Sequence, residues 1–194
     1  MPEPAVAPTP RSRRLLGKVA VVTGSSGGIG WAIAYEFARE GASVVINSRD
    51  AERARGAAAA MEDDGLQATA FAADIRDPVQ ARALASAAVE RFGRLDVWVN
   101  NAGINVIKPA LELEPDEWTQ VIDTNLSGCF YGAQAAARHM VPQKSGVIIQ
   151  IGSIIGEVGL PRRVPYTAAK HGLIGLTKVL GAEWAKDIRS RRGS

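Results

Sequence analysis

A chain of 194 residues, 46% hydrophobic and 22% charged, has the length and composition of one globular domain with a sizeable core. The formal charge of +3 sits at the ends: Glu3, Arg11, Arg13 and Arg14 set residues 1–14 at +2, Arg189, Arg191 and Arg192 set residues 189–194 at +3, and the body, at −2, offers no basic face to a nucleic acid. Cys129, the single cysteine, excludes an internal disulfide and a cysteine-rich metal site and fits a reducing, cytoplasmic setting, and no stretch reaches the roughly 18 uninterrupted apolar residues of a membrane span.

Residues 1–14 carry four of the ten prolines and no apolar run of the signal-peptide kind, so a disordered tail is expected there. From Lys18 onward, short β-branched runs alternate with longer alanine-rich amphipathic segments, the pattern of a parallel sheet covered by helices on both faces. The expected strands are Val19 to Val22, Ser43 to Ile46, Ala68 to Phe71, Leu95 to Val99 and Val147 to Ile151. Gly41, Gly65 and Gly93 stand where the intervening helices should end. Asp77-Pro78 reads as a cap and first residue of a helix to about Phe92; Pro115 opens a long helix to about Met140; the last helix runs from near Tyr166 to about Lys186. Right-handed crossovers joining five such strands give an α/β, doubly wound (Rossmann) sheet of order 3-2-1-4-5, with its ligand crevice at the carboxyl ends of strands 1 and 4.

The motifs cluster at those ends. Strand 1 runs into Thr23-Gly24-Ser25-Ser26-Gly27-Gly28-Ile29-Gly30, where Gly24, Gly28 and Gly30 let the backbone turn, approach a pyrophosphate and pack the next helix close. At the end of strand 2, where an NAD-preferring site places an acid for the ribose 2′-hydroxyl, this chain has Asn47-Ser48-Arg49. An arginine there suits a 2′-phosphate, so NADP(H) is favoured over NAD(H).

These residues resemble the short-chain dehydrogenase/reductase family over about Leu16 to Ile188. The glycine turn matches the family's first signature, Asp74-Ile75 its adenine-contacting pair, Asn100-Asn101-Ala102-Gly103 its strand 4 motif, and Asn125, Ser153, Tyr166 and Lys170 its catalytic four. The wording looks most like sugar and polyol dehydrogenases and 3-oxoacyl reductases. The resemblance implies cofactor contacts from Gly24, Ser26, Gly28, Ile29 and Gly30, from Ser48 and Arg49, from Asp74 and Ile75, from Asn101, Ala102 and Gly103, and from Tyr166 and Lys170. It implies hydride transfer between NADP(H) and a small alcohol or ketone. Negative charge grows on the substrate oxygen as hydride arrives, and a phenol can protonate it. Free tyrosine has a pKa of about 10, so the reverse reaction needs a neighbouring cation; spacing i, i+4 puts Lys170 on the helix face of Tyr166. By the same resemblance Lys170 holds the nicotinamide ribose, Ser153 hydrogen-bonds the substrate oxygen and Asn125 holds a proton-relaying water. The alternative is a catalytically inactive nucleotide-binding remnant or a truncated fragment of such an enzyme.

The loop from Glu157 to Pro165 should border the substrate, and its Arg162 and Arg163 favour a polar or anionic one. His139 and His171 lack a second ligand at metal spacing, so no metal site is expected. A homodimer through helices 115–140 and 166–186 follows from the resemblance. In the family an Ile-Arg pair leads from the last helix into a sixth strand, a Pro-Gly turn, a substrate lid and a seventh strand. Here Ile188-Arg189 is followed by Ser190-Arg191-Arg192-Gly193-Ser194. The expectation is a C-terminally truncated member: a domain over 15–189, a disordered tail over 190–194, the last two strands and lid missing, and Val147 to Ile151 left as an exposed apolar sheet edge.

Overall fold

Apolar runs without polar alternation need cover on both sides, and they receive it. The computed structural model describes residues 13–193. The elements are β1 (Val19–Val22), α1 (Gly28–Arg39), β2 (Ser43–Ser48), α2 (Ala51–Asp63), β3 (Ala68–Ala72), α3 (Pro78–Phe92), β4 (Val97–Asn100), α4 (Pro115–Ile122), α5 (Gly128–Gln143), β5 (Val147–Ile151), α6 (Val164–Glu183) and β6 (Arg189–Gly193). The strands form one sheet, parallel throughout, of order 3-2-1-4-5-6. Val21 of β1 pairs with Val45 on one side and Trp98 on the other. Alternate residues of β1 then feed two cores. Val19 and Val21 pack with Leu84 of α3, Met140 of α5 and Leu180 of α6, whereas Ala20 and Val22 pack with Ala34 of α1 and Met61 of α2.

Local capping chemistry sets the helix ends. Asp77 accepts from the amides of Val79 (2.7 Å) and Gln80 (3.4 Å), with Pro78 at the first helical position. Gly93 closes α3 at φ 80°, its N–H donating to Val89 O at 2.7 Å. The single helix expected from Pro115 is α4 and α5 joined by one π turn, Asp123–Ser127.

The C-terminal expectation needs correction. Residues 190–194 were expected as a disordered tail and the sixth strand as missing, but Arg189–Gly193 is a strand, pairing from Val147↔Arg189 to Ile151↔Gly193. β5 is therefore an interior strand of the order 3-2-1-4-5 extended by one. The physical reason is that a parallel ladder needs only backbone groups, which Ser, Arg and Gly supply as well as Val does. Among the described residues β6 is the edge strand on this side of the sheet. At the other end, Arg14, expected in the tail, is held by Glu40, with Arg14 N 3.0 Å and Nε 3.2 Å from Oε2. Residues 1–12 and Ser194 lie outside the described residues.

Candidate active site

The turn after β1 carries three glycines with separate tasks. Gly24 takes φ +62°, and a Cβ there would stand 2.9 Å from Ala102 Cα, so the turn lies directly against the loop after β4. Gly30 is buried, and a Cβ there would stand 2.6 Å from the Gly24 carbonyl oxygen. Gly28 takes φ +57° with nothing within 4 Å of an added Cβ, leaving open space at the N-terminal amides of α1. Left-handed backbone facing open space ahead of a helix is a cradle for a phosphate.

Side chains from three neighbouring strand ends lock this turn. Ser25 Oγ donates to Val22 O (2.6 Å) and accepts from Asn47 N (3.0 Å). Asn47 Oδ1 accepts from Gly24 N (3.2 Å), and its Nδ2 donates to Phe71 O and Ala73 O. Thr23 Oγ1 accepts from the amides of Asn101 and Ala102, both at 3.0 Å, while Asn101 Nδ2 donates to Thr23 O (2.9 Å) and Gly24 O (3.2 Å). The buried residues of the turn, Thr23 and Ser25, thereby have their hydroxyls hydrogen-bonded.

Over the turn opens a cleft of about 430 Å³ that brings together Gly24, Ile29, Gly30, Ser48, Arg49, Asp74, Ile75, Asn101, Ala102 and Gly103. Ser26 and Gly28 belong to the turn but do not line this cleft. Asn47, Arg53, Arg76 and Thr124, which sequence reasoning missed, do. Asp50 caps α2 by accepting from Arg53 N at 3.1 Å, and Arg49 is exposed, with no salt bridge among the described residues. Asp74 is gripped by Arg76, whose Nε is 3.0 Å and Nη2 2.6 Å from Oδ2; this hydrogen bonding holds its carboxyl below the usual aspartate range. Three arginines and one carboxylate, itself paired with Arg76, line the cleft, which is therefore cationic and suited to phosphates.

The strand 4 motif divides its work. Asn100 is buried: its Oδ1 accepts from Trp98 Nε1 (2.7 Å) and its Nδ2 donates to Cys129 O and Gln150 Oε1 (2.9 Å each). Asn125 occupies the π turn, a distortion that re-aims side chains, and is fully buried. Its Oδ1 accepts from Ile104 N (2.9 Å) and its Nδ2 donates to Ile104 O (2.6 Å). It lines neither cavity but fixes the loop that lines both.

Past Ile29, Asn101, Gly103 and Ile104, shared by both walls, lies a second cavity of about 490 Å³, where Ser153, Tyr166 and Lys170 come together with Asn105, Ile155 and Arg163. Ser153 Oγ accepts from Ile155 N at 3.3 Å, which leaves its O–H free to donate. Tyr166 and Lys170 lie one turn apart near the start of α6, with Lys170 Nζ 5.6 Å from the Tyr166 ring centroid. Nζ donates to Ile151 O at 2.7 Å, and burial lowers the Lys170 pKa below the ordinary lysine value. Cys129 beneath it is a buried thiol, pushed up to about 11 by desolvation. No helix among the described residues is long and apolar enough to cross a membrane, and no cluster of His, Cys, Asp or Glu among them could hold a metal ion.

Comparison with known proteins agrees with this geometry. The family model for short chain dehydrogenase matches residues 18–190. A D-threitol dehydrogenase of Mycolicibacterium smegmatis is 40% identical over 171 residues, covering 88% of this chain and 66% of that protein. A 3-oxoacyl-(acyl-carrier-protein) reductase of Staphylococcus aureus is 41% identical over 169 residues, 87% of this chain and 69% of that one. A gluconate 5-dehydrogenase of Burkholderia cenocepacia, solved in complex with NADP and tartrate, superposes with a TM-score of 0.89 at 39% identity, covering 94% of this chain and 72% of that one. The chain thus spans about two thirds of the length of the curated relatives it matches. The glycine turn at the end of β1, the Asn101 clamp on it, and a match running from the first strand to the sixth lead to one conclusion: the chain belongs to the short chain dehydrogenase family.

Proposed function

We propose that this protein is a cytoplasmic NADP(H)-dependent oxidoreductase that interconverts a small alcohol and its ketone, with Tyr166 as general acid and base. The observation that carries the reading is that Ser153, Tyr166 and Lys170 wall one cavity, which joins the cationic cleft over the glycine turn through Ile29, Asn101 and Gly103. The bound nicotinamide supplies or accepts the hydride. Gly28 and the α1 amides would take the pyrophosphate, and Arg49, which makes no salt bridge among the described residues, would take the 2′-phosphate. In reduction the Tyr166 hydroxyl gives its proton to the substrate oxygen, and in oxidation the phenolate takes it back. Ser153 O–H hydrogen-bonds the same oxygen, and the Lys170 ammonium stabilises negative charge on the phenol oxygen. Asn125, bound to both backbone groups of Ile104, is a positioning residue for the shared wall. A homodimer through helices 115–140 and 166–186 is the assembly proposed.

Tyr166→Phe tests the reading. Removing a proton donor in the transition state costs about 10²–10⁴-fold in rate, so turnover on a secondary-alcohol and ketone panel should fall by that factor while NADPH affinity, read from cofactor fluorescence, stays within about twofold. Turnover equal to that of the unmodified chain would sink the assignment.

A further inference from the structure

The cavity around Tyr166 has a charge pattern that proton transfer does not require. Its wall contains two cations, Arg163 and Lys170, and no acidic residue. Lys170 is accounted for by Ile151 O and Tyr166. Arg163 is not. It is half-buried, its carbonyl accepts the first α6 bond from Thr167 N at 2.8 Å, and its guanidinium has no salt bridge among the described residues. Its placement is built into the backbone. Arg162, exposed and outside the cavity wall, is held at φ +66°, a left-handed conformation unusual for a side-chain-bearing residue, and its carbonyl accepts from Lys108 N at 2.9 Å. Lys108 is itself fixed by Glu117 at 2.6 Å. The loop that contributes Ile104 and Asn105 is thus tied to the loop that contributes Arg163. Ile29, Ile104, Ile151 and Ile155 make much of the remaining wall. A planar guanidinium beside apolar side chains, with no salt bridge to a carboxylate among the described residues, is complementary to a carboxylate on a ligand.

We propose that Arg163 is a specificity residue that binds the carboxylate of a hydroxy-acid or keto-acid substrate whose reacting carbon lies at Ser153 and Tyr166. This rests on reading the cavity as the substrate site.

The test uses the full 194-residue chain. Reduction of 4-oxopentanoate by NADPH is compared with that of its primary amide and of the phosphonate of equal length, and succinate and its diamide are titrated calorimetrically into the NADP⁺-loaded protein. A charge-assisted bidentate pair predicts that kcat/KM and affinity favour the carboxylate by about tenfold or more over the amide. Arg163→Gln should erase that preference, and Arg163→Lys should restore part of it. A preference that survives in Arg163→Gln overturns the proposal, as does a stronger preference for the phosphonate, which would reassign the anion. Turnover indifferent to Tyr166→Phe, or absent on every substrate, would instead sink the dehydrogenase reading. The succinate titration still decides the role of Arg163 in that case, since equal binding by the unmodified chain and Arg163→Gln refutes it.

Discussion

Lys170 keeps an ammonium group at 5% exposure, with the Ile151 carbonyl as its hydrogen-bond acceptor and no salt bridge to an acid among the described residues. Burial lowers its pKa, so between the folded value and the unfolded value of about 10.4 the unfolded chain binds more protons. Stability therefore rises with pH through that window, and below it the charged lysine is a standing cost. Lys170→Met should be more stable at pH 7 by on the order of 1 kcal/mol, because an apolar side chain of similar length replaces a buried cation that has a carbonyl but no salt bridge among the described residues. Urea titrations should show the gap narrowing as pH approaches that of the free lysine, while turnover is lost. A less stable variant with a pH-independent gap would refute the account. The Tyr166–Lys170 spacing was legible in sequence because one helical turn is a local relation. Arg76, two residues from Asp74, and Arg53, one turn after Arg49, were equally local but went unread, because only the folded cleft shows that they face the same space.

At the scale of elements, boundaries set by short-range capping were legible, as at Asp77-Pro78 and Gly93, whereas the π turn at Asp123–Ser127 was not. No residue type marks a π turn; this one is defined by its backbone, with Gly128 N–H donating to Asp123 O five residues back, and it places Asn125 against Ile104. β4 was expected from Leu95 and starts at Val97, and the residue between them is a clamp. Asp96, 4% exposed, accepts from Val19 N (3.0 Å) and from Arg94 Nε and Nη2 (2.7 and 2.6 Å), with Lys18 at 3.4 Å. Burial pushes its pKa up, but the bonds from Arg94 and Val19 outweigh it, and the net direction is down. A depressed carboxyl contributes stability that is present above the unfolded value of about 3.9 and is lost as pH falls through the folded value. Asp96→Asn keeps the shape but loses the charge-assisted bonds, so it should cost about 1–2 kcal/mol at pH 7. The variant should also show a shallower acid limb, its deficit shrinking below about pH 3.9. A deficit unchanged down to the acid transition would mean that packing, not charge, holds the start of β1 to β4.

For the molecule as a whole, the strand that sequence reading missed also supports the site. β6 brackets β5 with Arg189 N donating to Gly146 O (3.1 Å) at one end and Gly152 N donating to Gly193 O (2.9 Å) at the other. Gly152 precedes Ser153, so the last described residue of the chain helps to fix the backbone that aims Ser153 into its cavity. Val147, Ile149 and Ile151 are only half-buried, so without β6 the strand would present apolar side chains beside unpaired amides and carbonyls, the combination that templates aggregation. A chain ending at Ile188 should lose about 2–4 kcal/mol, roughly 1 kcal/mol for each lost ladder bond that leaves a group poorly solvated. Light scattering at the thermal midpoint should rise, and the Gly152 amide should exchange with solvent faster than in the chain ending at Ser194. The exchange measurement is the discriminating one. Lower stability with unchanged Gly152 protection would make β6 a cover for the sheet alone, whereas faster exchange there together with a falling rate at Ser153 would tie the last strand to the chemistry.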